Sequence, residues 1–539
     1  MTNWNFIKPT EIDERPYQMD DFQSIVDQAK KKVNSGLVYP TGLGKTYTAF
    51  MAMDYFLTKG KVVFLADTNV LCAQHHRLAC QIFNIKKKDI KQINGRTKPE
   101  NRIKYWNECK IIFATPQTIL NELVQENITL DGVSLFVFDE MHMAGKEYDY
   151  VHLARACMHF DIRIIGMTAS TGDYDKIEQL ENHFDVKWWI YHSNTSEAVA
   201  DYVFDKKEEV IHIKTTADHQ DQRDLALETI YDALLIVHNQ VAKSGQIDRL
   251  HGDLSIKRKR PFFRMTQLNV VYEKVMHWLK HKEEEPFDWN YKVFLAAYYH
   301  LVTILNLYET EGYEVVLSYI QRKVEDRLED KYGRPKFNTA RYIWMNKKFH
   351  QFKDMIESFV NDKILHPKIF ALRYLVLNME IEGKRILVFG NDYHSLEFIQ
   401  TALERNGTKT RLIAGSKHMK TGDQVAILEA FENKEFPVLL ATTVIEKGIH
   451  IPDIDNLFNY SAPLTGIAHI QRGGRTGRTS VGHIHHLIVP GTADESLYWA
   501  TKAANKKMDK ALTSILLAQE DILKGRKPTT RGHQTAFDF

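Results

Sequence analysis

An apolar run, SGLVY, passes without interruption into PTGLGKT and then into the helix-forming stretch TYTAF. No other feature constrains the fold as tightly. A strand that ends in a glycine-rich turn and restarts as a helix opens a βα unit, and such units build parallel sheets. The turn also carries chemistry. The unpaired amides of a helix start attract anions, and Gly42 and Gly44 let a backbone come close to one. Lys45 would neutralise the β and γ phosphates of a nucleotide while Thr46 offers its hydroxyl to a magnesium ion. Tyr39 stands where the common pattern has glycine or alanine, but Pro40, Thr41, Gly42, Leu43, Gly44, Lys45 and Thr46 are intact.

The same alternation runs on. KVVFLAD, CKIIFATP, VSLFVFDE and IRIIGMTA are separated by amphipathic helical stretches from Gly36 to about Phe204. A second series, KRILVFG, TKTRLIAG, FPVLLATT, DNLFNYS and HIHHLIVP, begins near Lys384. Between them, from about Ala217 to Leu365, apolar residues recur at three- and four-residue spacing with few strand signals, which predicts an all-helical insertion. After Pro490 one long helix is expected to about Lys524, then a polar tail. The fold class is α/β, and 539 residues are too many for one core. The expected division is 1–215 for the first, ATP-binding α/β domain, 216–365 for the insertion, 366–500 for the second α/β domain and 501–539 for the terminal helix and tail.

Two further clusters complete the chemistry. The strand VSLFVF runs into Asp139 and Glu140, at the carboxyl end where open α/β sheets hold ligands. Asp139 would hold the magnesium ion and Glu140 would act as general base toward water, with His142 completing a DExH pattern. IRIIGMTAS ends in Thr168, Ala169 and Ser170, whose hydroxyls could bridge toward the facing domain. In QRGGRTGR, Gln471 stands beside Arg472, Arg475 and Arg478, whose guanidiniums gather at a helix start, and Arg475 and Arg478 suit a phosphoryl transition state as fingers reaching across a cleft. The cofactors implied are ATP and Mg2+.

In this order PTGLGKT, ATPQT, DEMH, TAS, ATTVIEKGIHIP and QRGGRTGR resemble the motif series of superfamily 2 helicases. More narrowly, YPTGLGKT, IIFATPQTI, VSLFVFDEMHMAG and GTADESLYWATK resemble the helicase part of archaeal Hef and of the Fanconi anaemia M-type fork remodellers, over most of the chain. The resemblance implies two RecA-like domains that close on ATP, and Tyr17 and Gln18 as residues that help hold adenine. It implies that Thr115, Pro116 and Gln117, with Thr442 and Thr443, line a nucleic-acid track. It assigns coupling to His142, Thr168, Ser170 and Gly448. It implies forked or branched DNA, bound through phosphates without sequence preference, as the partner. The insertion would grip a duplex arm, with Lys257, Arg258, Lys259 and Arg260 beside Phe262 and Phe263, and the stretch Arg334 to Lys348, as candidate contacts. His450 replaces the family's usual aspartate, a departure at a position linked to ribose contact and interdomain coupling. The nuclease modules of many Hef proteins are not expected.

Composition narrows the rest. A formal net charge of +2 leaves any polyanion surface to local patches. Cys72, Cys80, Cys109 and Cys157 form neither a CxxC pair nor a ligand cluster, so reduced structural thiols are expected. No apolar run reaches membrane length, which predicts cytoplasmic residence, at the nucleoid when bound to DNA, and no membrane partner. The tail residues Gln534, Thr535, Ala536, Phe537, Asp538 and Phe539 resemble a truncated sliding-clamp-binding peptide. Two rival functions stand beside the DNA motor: an RNA-dependent ATPase of the duplex-RNA sensor type, and a nucleic-acid-binding scaffold whose ATPase has decayed.

Overall fold

The computed structural model describes residues 4–144, 149–193, 196–202, 206–214, 219–243, 289–329, 333, 338–415, 417–442, 454–473 and 482–526. Short apolar runs of the first series form strands β1 (Asn34–Val38), β2 (Lys61–Leu65), β3 (Ile90–Ile93), β4 (Ile111–Ala114), β5 (Val133–Phe138), β6 (Arg163–Thr168) and β7 (Val186–Tyr191). Their spatial order is β3-β4-β2-β5-β6-β1-β7, and every pairing is parallel. Parallel pairing explains the apolar runs: helices cover both faces, so β1, β4 and most of β5 are buried at every position, with no polar alternation.

The second sheet contains β8 (Lys206–His212), β9 (Ile386–Phe389), β10 (Thr410–Ile413), β11 (Val438–Ala441), β12 (Asn456–Asn459) and β13 (Gly482–Ile488) in the order β10-β11-β9-β12-β13-β8, again all parallel. One boundary needs correction. Residues up to 215 were expected in the first domain, yet β8 pairs along its whole length with β13 of the second sheet. Its sequence, KKEEVIH, is that of an exposed edge strand, and its partner lies far along the chain.

The described part of the insertion is helical. Helices Gln220–Lys243, Trp289–Thr310, Tyr313–Lys323, Thr339–Trp344 and Lys347–Asn361 enclose a core that includes Leu301, Phe349, Phe352 and Ile356. It is anchored to the second sheet at a buried junction. The Tyr460 hydroxyl donates to the Glu311 carbonyl at 2.5 Å, and beside it Lys368 and Asp494 form a buried ion pair. Burial pushes the Glu311 carboxyl up to about 7, against the pull of Lys368.

The helix Ala493–Leu523 joins the two sheets. Asp494 binds Lys368 at its start, while near its end Gln519 donates to the Trp189 carbonyl and accepts from the Trp189 amide, both at 3.0 Å, on the open edge of β7. Ala511 and Leu512 lie in the core of the first sheet. All four cysteines are free, and burial pushes the Cys72 thiol up to about 12. No described helix is long and apolar enough to cross a membrane.

Candidate nucleotide site

The loop after β1 is shaped by its glycines. Gly42 and Gly44 have φ of 99° and 77°, left-handed values that a side chain rarely adopts, and Gly44 caps the helix Lys45–Leu57. A Cβ on Gly44 would sit 2.4 Å from the Gln18 amide nitrogen. That closeness has a purpose: Gln18 donates to the carbonyls of Leu43 and Gly44 at 3.1 and 3.2 Å, and the Tyr17 hydroxyl donates to Leu43 at 2.6 Å. Expected as adenine contacts, Tyr17 and Gln18 are placed behind the loop, buried, and do not line the cleft.

Tyr39 is explained by the same layer. Its ring turns inward, where its hydroxyl donates to Asp21, and His192 holds the same Asp21 oxygen at 2.7 Å. Burial, with Asp21 next to it, raises the Tyr39 hydroxyl well above its ordinary pKa. The side chain is therefore directed away from the loop's open face, and only the carbonyl of Tyr39 meets Lys45, accepting from its ammonium at 2.9 Å.

Opposite the loop, Asp139 and Glu140 follow β5. The Asp139 amide donates to Leu65 at 2.9 Å and its carbonyl accepts from the buried Tyr150 hydroxyl at 2.7 Å, so the strand end is fixed on both sides. Glu140 has φ of 51°, a strained conformation for a residue with a side chain. His142 Nδ1 lies 3.2 Å from the Glu140 carboxylate and 2.8 Å from the Thr168 hydroxyl. Thr168 in turn donates to the Ser170 carbonyl at 2.7 Å, and the Ser170 hydroxyl donates to Met508 Sδ at 2.8 Å. The expected series Glu140, His142, Thr168, Ser170 is thus one connected chain, and it ends on the helix that joins the two sheets.

These groups border a cleft of about 880 Å³ that is lined by Thr41, Gly42, Gly44, Lys45, Thr46, Asp139 and Glu140 and, from the second domain, by Val425, Leu428, Glu429 and Glu432. The residues suit a nucleotide with a divalent cation. Loop amides and an ammonium face two carboxylates, and the Thr41 hydroxyl is buried without a hydrogen-bond partner among the described residues. Sequence reasoning missed His75, which reaches Asp139 from the helix Asn69–Ile82.

The second domain departs from expectation at Arg472. Its guanidinium is fully buried, donating to Asn391 Oδ1 at 2.7 Å, the Ser461 carbonyl at 2.8 Å and Asn459 Oδ1 at 3.2 Å. It serves the interior of the second sheet, not a phosphate. Gln471 precedes it on the helix Gly466–Gly473, while Arg475, Arg478, Thr443, Gly448 and His450 lie outside the described residues. So do Lys257, Arg258, Lys259, Arg260 and the tail residues from Gln534 to Phe539. Of the expected track, Thr115 precedes the helix Pro116–Val124 and bonds Thr118 at 2.8 Å, Pro116 is buried, Gln117 is exposed, and Thr442 follows β11 with its hydroxyl buried. Lys348 pairs with Asp232 at 3.1 Å on the insertion surface.

Residues 11–172 match the family described as Type III restriction enzyme, res subunit, and residues 367–480 match the Helicase conserved C-terminal domain. The chain belongs to helicase superfamily 2, and the two matches fall on its two parallel sheets. Among solved structures it is similar to the helicase domain of Pyrococcus furiosus Hef, with a TM-score of 0.65 and 29% identity, covering 92% of this chain and 100% of that one. A putative ATP-dependent RNA helicase of Methanocaldococcus jannaschii is 28% identical over 519 residues, 94% of this chain and 62% of that protein. The ATP-dependent DNA helicase fml1 of Schizosaccharomyces pombe is 24% identical over 549 residues, 97% of this chain and 61% of that protein. The chain therefore spans about three-fifths of the length of these relatives.

Proposed function

We propose that this chain is an ATP-driven DNA helicase or translocase acting on forked or branched DNA in replication-fork repair or recombination. The observation that carries the proposal is the cleft in which the Gly42–Lys45 turn faces Asp139 and Glu140, with its outer wall supplied by the second domain. Lys45 and the loop amides hold the phosphates. Thr46 and Asp139 hold Mg2+, which supplies charge neutralisation at the transferring phosphoryl group. Glu140 takes the proton of the attacking water, and His142 links that base to the end of β6. Gln471, Arg475 and Arg478 complete the site from the second domain. Closure and opening then alternate the grip of Thr115, Pro116, Gln117, Thr442 and Thr443 on the strand.

The DNA assignment draws on relatives named as DNA helicases, whereas the Methanocaldococcus relative is named as an RNA helicase and favours a second reading, duplex-RNA-dependent hydrolysis. The experiment is ATP turnover at low salt with forked DNA, linear duplex DNA, single-stranded DNA and duplex RNA, with Glu140→Gln as the blank. Strong stimulation by forks is expected. Preference for RNA selects the second reading, and no stimulation by any of them overturns both.

A further inference from the structure

We infer that His75 is a positioning residue that fixes the carboxylate of Asp139 and so sets the strength with which this chain holds the divalent cation of its nucleotide; the inference rests on the nucleotide function proposed above. The helix Asn69–Ile82 begins at Thr68, whose hydroxyl accepts from the Leu71 amide at 3.3 Å. Asn69, Ala73, Gln74 and Arg77 of this helix line the cleft across from Val425 and Glu429 of the second domain. His75 is buried on the same helix. Its ring packs against Phe64 of β2, with centroids 4.7 Å apart, and its Nε2 lies 2.9 Å from Asp139 Oδ2.

The consequence is geometric. A carboxylate at a strand end can rotate about its last bond, and rotation moves both oxygens away from any cation they serve. Here each oxygen has its own partner. Oδ2 meets His75, and Oδ1 accepts from the Glu140 amide at 3.1 Å, so the plane of the carboxylate is fixed while each oxygen keeps a lone pair for a metal. Both side chains are about 10% exposed, which shields the contact from competing water. Hydrogen-bond partners of ligating carboxylates typically govern metal affinity by about 10–100-fold when removed. The placement adds a second effect. His75 belongs to the cleft wall that meets the second domain, so displacement of that wall is transmitted to Asp139 through one side chain.

The test separates packing from positioning with two variants of the full chain. His75→Phe keeps a ring against Phe64 but has no donor; His75→Gln keeps a donor. The readouts are the affinity for Mn2+ in the presence of ADP by electron paramagnetic resonance, the affinity for ADP alone in EDTA, and the Mg2+ concentration that half-saturates ATP turnover. His75→Phe is expected to weaken Mn2+ binding by about tenfold or more and to raise the Mg2+ requirement in parallel, leaving ADP affinity in EDTA unchanged. His75→Gln is expected to recover most of the loss. Equal Mn2+ affinity in His75→Phe and wild type would overturn the inference, as would an equal loss of ADP affinity in EDTA. A wild type that binds ADP no better than Lys45→Ala would instead overturn the nucleotide function on which it rests.

Discussion

The two sheets share parallel pairing and short buried strands, yet they treat the carboxyl ends of those strands in opposite ways. In the first, the loop after β1 and the acids after β5 converge at a cleft, and the Thr41 hydroxyl has no partner among the described residues. In the second, Asn391 after β9, Asn459 at the end of β12 and Ser461 beyond it close around the guanidinium of Arg472. An open parallel sheet brings polar groups together at this end whatever their use. The difference is what fills the space between them: in the second sheet the chain inserts its own cation, and in the first the polar groups line a cleft.

The comparison is sharpest where substitution should affect chemistry at one sheet and stability at the other. Glu140→Gln preserves shape and, on the proposed role of Glu140 as general base, is expected to lower ATP turnover by about 10²–10⁴-fold with an unchanged urea midpoint. Arg472→Leu should do the reverse. It removes three donated hydrogen bonds from the interior and leaves their acceptors buried, a cost of about 3 kcal/mol in urea denaturation. Nucleotide binding to the first domain should survive wherever the protein remains folded. A stable Arg472→Leu protein with impaired turnover would mean that the buried guanidinium belongs to the chemistry after all.

Much of the first site was legible because its parts are contiguous in sequence: PTGLGKT and FVFDEMH each carry their strand, their turn and their functional groups together. What was not legible depends on contacts between distant residues. His75 meets Asp139 across 64 positions, and nothing in QHHRL distinguishes it from an ordinary helix histidine. Arg472 stands in the same arginine-rich run as Arg475 and Arg478, and the run gives no sign of which guanidinium turns inward. The strand β8 was assigned to the wrong half because its polar edge sequence carries no apolar signal and its pairing with β13 is set only when the fold closes. Tyr39 looked like a defect of the turn until Asp21 and His192 were found behind it.

A third region, the junction between the insertion and the second sheet, extends the comparison to a buried charge with incomplete compensation. Burial raises Glu311 to about 7, Lys368 opposes that rise, and Asp494 adds to it. A carboxyl raised above its unfolded value of about 4.3 contributes stability at low pH that is lost as pH rises toward about 7. Glu311→Gln is therefore expected to be more stable than wild type at pH 8, by about 3 kcal/mol, and by only about 1 kcal/mol at pH 5. Urea midpoints across that range would check the sign. A larger benefit at pH 5 than at pH 8 would show that the carboxylate, not the neutral acid, is the form the junction favours.

The smallest effect is expected behind the phosphate loop. Tyr39→Phe keeps the ring among Tyr17 and His192 and removes only the hydroxyl that donates to Asp21. Asp21 retains His192 at 2.7 Å, so the loss should be that of the Asp21 bond and a long 3.4 Å contact with the Thr48 hydroxyl, about 1 kcal/mol, and not that of an abandoned charge. If Tyr39 only supports the loop from behind, ATP turnover should stay within about twofold of wild type at temperatures well below unfolding. Should turnover fall tenfold while stability holds, the buried layer would be tuning the loop, and the division between a sheet that serves ligands and one that serves itself would have to run through the first domain as well.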